Sequence, residues 1–159
     1  MRKNAILLYP ISLIGRGLVV AYERALPDAR FTLFGRLSYA SPAGGDLRSH
    51  EFGVGVGVRY YVMSKGPFTR WDGRAPVGLF VSVRAGLLRT WVSDRRNGRS
   101  LGHADRLSFE STFGYRFTIA SRVELSPYVG AMTYSDLEGI TPISTRITAV
   151  FGATIGALF

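Results

Sequence analysis

The chain has 159 residues, 47% of them hydrophobic, and a mean hydropathy of +0.13, which suits one domain with either a soluble core or a thin lipid-facing belt. It contains no cysteine, which excludes a disulfide framework and a thiolate metal site, and no run of about 20 apolar residues, which excludes a spanning helix. The net charge of +9 comes from 18 Arg and 2 Lys against 11 acids, and Arg pairs well with carboxylates and phosphates, so both internal ion pairs and anionic partners have to be considered.

The N-terminus begins with Met1-Arg2-Lys3-Asn4 and a short apolar run that imitates a signal peptide. Pro10 and Arg16 interrupt that run, and residues 26–29, Leu-Pro-Asp-Ala, form a poor cleavage site. We therefore expect Met1 to restart a mature chain from which the native signal peptide has been removed.

From residue 4 onward, apolar alternating runs are separated by clusters of Gly, Pro, Asp, Asn and Ser, a pattern typical of an all-β meander. Most runs reach the roughly 9 to 11 residues that a transmembrane strand needs. No solenoid repeat or linker divides the chain, so residues 1–159 are predicted to form a single domain. The eight predicted strands cover residues 4–13, 17–26, 29–41, 50–63, 76–92, 106–120, 122–135 and 146–159.

The sixth predicted strand indicates which face points outward. Apart from Ser111, one of its faces is bulky and apolar, whereas the other is small, polar or charged; the fourth strand repeats the pattern with Val against Gly. The interior of a small eight-stranded barrel has room only for side chains, so the Gly and Ser faces must point inward. An outward belt of Val, Leu and Phe would aggregate in water but suits lipid. The sequence therefore predicts an all-β, eight-stranded, antiparallel up-and-down transmembrane β-barrel.

The last predicted strand has a wholly apolar face that ends on the terminal Phe159. Its pattern resembles the closing strand of bacterial outer-membrane barrels, in which a C-terminal aromatic is part of the signal read by the assembly machinery. The candidate assembly signal consists of Phe151, Ile155 and Phe159.

The inward faces also carry charges of both signs, four Arg against three Glu. Unpaired buried charges are costly, so we expect these residues to form an ion-pair network in a plugged polar interior, with catalysis or proton conduction as the alternative role. The predicted interior network consists of Glu23, Arg36, Arg59, Arg84, Glu110, Arg116 and Glu124.

With a periplasmic N-terminus, short connections at residues 27–28 and 120–121 fall on the periplasmic side, and longer ones at 42–49, 93–105 and 136–145 fall outside. The stretch 64–75 is a longer periplasmic exception. The same orientation predicts two aromatic girdles. The outer one contains Tyr39, Phe52, Trp91 and Phe109, and the inner one contains Tyr22, Phe31, Tyr60, Phe117 and Phe159.

The first predicted hairpin resembles a known family. Its segments Asn4-Ala5, residues 10–13 (Pro-Ile-Ser-Leu) and residues 22–26 (Tyr-Glu-Arg-Ala-Leu) are similar to the opening of a group of small, mostly uncharacterised outer-membrane barrels related in architecture to OmpA and OmpX. The resemblance covers residues 4–26 and is only architectural afterwards. It implies the barrel and the outer membrane but no activity. Leu7 and Tyr9 stand where family members tend to have polar residues, which leaves the facing of the first strand open.

Lipid A acyltransferases and deacylases exist on this scaffold and would need a nucleophile, a base and an orienting group near the outer leaflet. The contiguous Ser49-His50-Glu51 cannot form a relay through neighbouring positions, because neighbours on a strand point to opposite faces. Tyr134-Ser135-Asp136 lacks the His of a deacylase-like pattern. Metal binding is unsupported, since two distant histidines and no carboxylate cluster make a poor ligand set. We expect no enzyme activity, cofactor or metal.

A basic segment precedes the sixth predicted strand and contains Arg95, Arg96, Arg99 and His103. Arg binds phosphates through paired hydrogen bonds, and lipopolysaccharide phosphates are abundant in the outer leaflet. The segment is therefore a candidate anionic-lipid site, against the alternative of a solvated loop tip. Nucleic-acid binding is disfavoured, because no groove-reading element accompanies the charge.

These observations predict a monomeric barrel of the bacterial outer membrane with a structural or surface-interaction role and without a large open pore. Its partners are expected to be outer-membrane lipid, including lipopolysaccharide phosphate, and the outer-membrane assembly machinery. Two alternatives remain: a lipid A-modifying enzyme on the same scaffold, and an engineered barrel without native function.

Overall fold

The computed structural model describes residues 4–10, 17–27, 30–41, 43–44, 46–62, 77–96, 98–119, 122–137 and 146–159. The predicted connections at residues 28, 64–75, 120–121 and 138–145 lie outside the described residues. The described part is built from β-strands. Their bounds are β1 (Asn4–Leu8), β2 (Gly17–Ala25), β3 (Phe31–Ala40), β4 (Ala43–Gly44), β5 (Leu47–Tyr61), β6 (Gly78–Asp94), β7 (Ser100–Ile119), β8 (Val123–Asp136) and β9 (Arg146–Leu158).

The strands form one closed antiparallel barrel. Each long strand pairs with the next one along the chain, β9 pairs back with β1, and β3 pairs directly with β5, while the two-residue β4 only extends one edge of β5. Eight strands thus close the barrel. The prediction of an all-β, eight-stranded antiparallel barrel is confirmed.

The register determines how steeply the strands are tilted. A path of directly opposed residues leaves β1 at Ala5 and reaches β9 at Thr148, whereas Ala5 itself pairs with Leu158. The intermediate positions on this path are Glu23, Phe34, Gly57, Arg84, Glu110 and Met132. One circuit therefore displaces the register by the ten residues that separate Thr148 from Leu158. With ordinary strand spacings, this shear corresponds to a tilt of about 40° and a radius of about 8 Å, so the interior is narrow.

Several predicted boundaries were wrong. β1 ends at Leu8 rather than at residue 13, and β5 begins at Leu47 rather than at residue 50. β7 begins at Ser100 rather than at residue 106, which places His103 within a strand, opposite Trp91, and not in a loop. The polar stretch 100–105 breaks the apolar alternation, but strand pairing needs only the backbone groups that β6 supplies. As a result β5, β6 and β7 form a sheet extension beyond the ends of β3 and β8.

Side-chain exposure follows the strand alternation. On β5, for example, Phe52, Val54, Val56 and Val58 are exposed and Arg59 and Tyr61 are buried. The exposed large side chains on the outer surface include Leu37, Val83, Leu87, Phe109, Phe113, Phe117, Val129, Ile147, Phe151 and Ile155. The predicted outward belt of bulky apolar residues is therefore present on the barrel surface.

The structure settles the facing of β1. Ala5, Leu7 and Tyr9 are buried inside the barrel, whereas Ile6 and Leu8 are exposed. Gly156 makes room for Leu7, because a Cβ at Gly156 would lie only 2.5 Å from a terminal methyl carbon of Leu7. The inward residues of β1 join an apolar cluster with Val19, Ala21 and Leu158. The interior thus combines this apolar cluster on β1, β2 and β9 with buried charged residues, which include Glu23 on β2.

Of the described residues, none forms a helix that is long and apolar enough to cross a membrane.

Candidate functional site

Four of the predicted interior charges meet near the end of the barrel that holds the chain termini. Arg116 donates from Nη2 to Glu23 Oε2 at 2.6 Å, and the same nitrogen lies 3.2 Å from Glu124 Oε1. Arg59 donates from Nη1 to Glu23 Oε2 at 2.8 Å. All four side chains are at most 5% exposed. We call Glu23, Arg59, Arg116 and Glu124 the lower cluster; it balances two guanidinium groups against two carboxylates.

Buried aromatic side chains enclose the lower cluster. The Tyr61 hydroxyl donates to Glu23 Oε1 at 3.3 Å, and the Arg59 guanidinium lies 4.2 Å from the centre of the Phe80 ring. Sequence reasoning did not assign Tyr61 or Phe80 to the network. The available signal was their position: both share an inward face with a predicted charged residue, at spacings of two and four positions from Arg59 and Arg84.

The other three predicted charges meet nearer the middle of the barrel. Arg84 and Glu110 are directly opposed on β6 and β7, and Arg84 Nη2 donates to Glu110 Oε2 at 2.5 Å. Arg36 on β3 reaches across the lumen to the same oxygen, with Nη1 at 3.4 Å, and stacks over the Tyr9 ring at 4.7 Å. We call Arg36, Arg84 and Glu110 the upper cluster. It carries two guanidinium groups against one carboxylate.

Exposure differs between the two clusters. The upper-cluster side chains retain 10% to 18% of their surface, whereas the lower cluster is almost completely buried. Among the described residues, solvent therefore reaches the upper cluster and stops above the lower one. All seven predicted interior residues lie inside the barrel and take part in ion pairs.

The basic segment lies at the tip of the β6–β7 hairpin. The Asp94 N–H donates to the Arg99 carbonyl and the Gly98 N–H to the Asp94 carbonyl, both at 2.9 Å, and Gly98 adopts a φ of +69°, which favours glycine. Arg95, Arg96 and Arg99 are exposed on this turn. Arg96 Nη2 lies 3.2 Å from Asp46 Oδ2, so this guanidinium group is engaged in a solvent-exposed ion pair.

His103 lies on β7, below the turn, and is exposed. Arg89, on the facing strand, makes two hydrogen bonds to Asp105, which lower the pKa of that carboxyl. Asp105 lies beyond the last pair between β7 and β8, at Arg106 and Asp136. Asp105 therefore stays negatively charged and offsets the positive charge of Arg89. The excess of positive charge on the extension is concentrated at the turn.

The candidate assembly residues share the outward face of β9 and of the residue that follows it. Phe151, Ile155 and Phe159 all point outward and are 76%, 45% and 54% exposed. The backbone of Phe159 exchanges two hydrogen bonds with Asn4, at 3.1 and 3.0 Å, which closes the barrel at the terminal residues.

His50, the histidine considered for catalysis, contacts Tyr39 and not Glu51. His50 Nδ1 lies 2.8 Å from the Tyr39 hydroxyl, and the two rings stack at 6.1 Å. Glu51 points to the opposite side of β5, where its Oε2 accepts a hydrogen bond from Thr90 at 3.4 Å. His50 and Glu51 are thus not brought together. In the described ranges, no three His, Cys, Asp or Glu side chains are grouped in a way that could hold a metal ion.

Comparison of the chain with protein-family models, with curated proteins and with solved structures gave no match.

Proposed function

We propose that this protein is an integral β-barrel of the bacterial outer membrane, monomeric and closed by its interior charge network, with a structural or surface-interaction role. One observation carries the proposal: the outer surface is a continuous belt of exposed Val, Leu, Ile and Phe, while seven charged residues lie inside. In a water-soluble barrel the two surfaces would be exchanged.

The height of the belt supports a membrane location. On the part of β7 that pairs with β8, the exposed large apolar side chains run from Phe109 to Ile119, whereas the exposed Leu101 lies on the extension. Ten residue steps at the observed shear span about 25 Å along the barrel axis, which equals the apolar band of outer-membrane barrels. Exposed aromatics such as Tyr22 and Phe31 lie at the end with the termini, and Tyr39 and Phe109 lie towards the other end, a distribution that supports the proposal of two interfacial girdles.

The interior supports a barrel without a large pore. A radius of about 8 Å is too small for a wide water-filled channel. Arg116 reaches from β7 to Glu23 on β2 and so crosses the whole lumen. We therefore expect no steady large-conductance channel in planar bilayers.

Among the described residues, those at the tip of the β6–β7 hairpin are best suited to an anionic partner. It carries Arg95, Arg96 and Arg99, beside the carboxylates of Asp46 and Asp94. From the level of Arg106 to Arg99 the extension rises about 18 Å. The tip would then meet phosphate groups carried above the lipid headgroups, such as those of lipopolysaccharide, or an acidic surface partner.

Two measurements test the membrane proposal. The chain should refold from urea into detergent or short-chain lipid and migrate differently on a cold denaturing gel before and after boiling. The second measurement uses a substitution of Val56, which is 70% exposed in the middle of the belt, and discriminates more sharply. Val56→Arg should destabilise the barrel in lipid vesicles by about 2 to 4 kcal/mol, because it places a charge at the bilayer midplane. Arg95→Gln, at the hairpin tip, serves as the matched control and should leave stability unchanged.

A folded, stable monomer in buffer without any amphiphile would contradict the proposal. So would a Val56→Arg variant as stable in vesicles as the parent chain.

A further inference from the structure

A cavity of about 210 Å³ lies in the lumen directly above the upper cluster, on the side away from the chain termini. It has room for about seven water molecules at roughly 30 Å³ each, which is smaller than a drug-sized pocket but sufficient for a small metabolite. Its lining combines apolar residues with polar and charged side chains. The lining residues used in the argument are Arg36, Ser38, Glu51, Arg84, Met132 and Tyr134.

The floor of this cavity has an excess of hydrogen-bond donors. Arg36 and Arg84 each carry five N–H groups, yet their ion pairs converge on a single oxygen, Glu110 Oε2. The upper cluster therefore presents one uncompensated positive charge to the cavity, unlike the balanced lower cluster. Guanidinium groups in this setting bind oxyanions strongly.

The wall of the cavity carries the opposite charge. Glu51 lines it, and its Oε2 accepts a long hydrogen bond of 3.4 Å from the Thr90 hydroxyl. A dianion or trianion would be repelled by this carboxylate. A monoanion with a hydroxyl or amino group could instead direct its negative end to Arg36 and Arg84 and donate a hydrogen bond to Glu51.

We propose that the cavity is a binding site for small hydroxy- or amino-carboxylates, with Arg36 and Arg84 binding the carboxylate and Glu51 accepting the hydrogen bond of the donor group. The site is separate from the membrane belt and from the hairpin tip. It gives the lumen a role beyond closing the barrel.

The test uses the folded protein in neutral detergent micelles, selected by its heat-modifiable migration. The Nε–Hε NMR signals of the arginines are followed while glycolate, acetate or methylamine is added. Glycolate should shift the signals of Arg36 and Arg84 saturably at millimolar concentration. Acetate, which lacks the donor, should bind about fivefold to tenfold more weakly, and methylamine should leave both signals unchanged.

Three variants locate the site. Ser38→Leu fills the cavity without altering an ion pair and should weaken glycolate binding at least about tenfold. Glu51→Gln removes the wall charge and should reduce the difference between glycolate and acetate. Arg95→Gln, outside the cavity, should bind glycolate like the parent chain.

Shifts confined to the signals of Arg95, Arg96 and Arg99 would overturn the proposal, because they would mean surface binding only. A Ser38→Leu variant that binds glycolate as tightly as the parent chain would overturn it as well. Both outcomes require a folded barrel in micelles, so they differ from a failure of the membrane proposal.

Discussion

Arg116 is the residue whose removal tests the interior network most directly. It is 1% exposed and contacts both Glu23 and Glu124. Without it, Glu23 would keep Arg59 at 2.8 Å and the Tyr61 hydroxyl at 3.3 Å. Among the described residues, Glu124 would keep the Ser126 hydroxyl at 3.5 Å, and its Oε2 already has no hydrogen-bond partner. Arg116→Met therefore leaves one carboxylate buried without a compensating charge.

Breaking a buried pair on one side costs about 3 to 5 kcal/mol. With a urea dependence of about 1 to 3 kcal/mol per molar, the unfolding midpoint should fall by about 1 to 5 M. The assay is urea unfolding in lipid vesicles, followed by tryptophan fluorescence and gel migration. Arg59→Met should cost less, because Glu23 then keeps Arg116 at 2.6 Å.

A double variant separates the stranded charge from lost packing. Arg116→Met combined with Glu124→Gln removes the charges of both Arg116 and Glu124, so that no carboxylate is left without a compensating charge. The double variant should therefore recover more than half of the free energy of unfolding that Arg116→Met alone loses. Arg95→Gln, exposed at the hairpin tip, is the control and should change the free energy of unfolding by less than about 0.5 kcal/mol. Equal and negligible effects of Arg116→Met and Arg95→Gln, or no recovery by Glu124→Gln, would refute the stabilising role of the lower cluster.

Three further predictions concern the packing, the tip and the last residue. Gly57→Val should destabilise the barrel by at least about 1 to 3 kcal/mol, because its Cβ would lie 2.5 Å from the Phe34 ring and 2.6 Å from the Val83 carbonyl oxygen, whereas Gly35→Val, with nothing within 4 Å, should be tolerated; equal urea midpoints would contradict the assigned faces. Replacing Arg95, Arg96 and Arg99 together with Gln should reduce retention on phosphorylated lipopolysaccharide at low salt without changing stability in detergent, and dephosphorylated lipopolysaccharide should retain the parent chain equally weakly; undiminished retention would reduce the tip to a solvated turn. Phe159→Ala should slow insertion in cells but leave refolding in detergent intact, since barrel closure at this residue uses backbone hydrogen bonds to Asn4; unchanged insertion would argue against the assembly signal.

Local pattern was sufficient to identify the eight barrel strands and, except for β1, their faces. The period-2 alternation in β5 and β7 reflects one bulky and one small face, and side chains of a strand alternate by geometry alone. The exposure of Val56 and Phe113 and the burial of Arg59 and Arg116 follow from it. The same pattern indicated the eight barrel strands and the inward position of all seven network charges.

Strand ends were less predictable, because pairing depends on the backbone of a partner strand as well as on local side chains. Residues 100–105 carry no apolar alternation, yet β6 pairs with them as far as Ser100. Conversely, the sequence remains largely apolar after Leu8, but β1 ends at Leu8 in the structure. A polar segment can be a strand where a neighbour supplies the hydrogen bonds.

The sequence by itself thus determined an all-β chain with charges on one face and bulky apolar residues on the other. Only the tertiary structure decided which charges meet. The register displacement of ten residues per circuit places Arg116 within reach of Glu23, 93 positions away, and separates Arg36, Arg84 and Glu110 into a second cluster. It also turned Leu7 and Tyr9 inward, although both faces of β1 are apolar. These outcomes depend on shear and closure, which bring together residues from strands on opposite sides of the barrel. The sequence pattern of a single strand does not encode them.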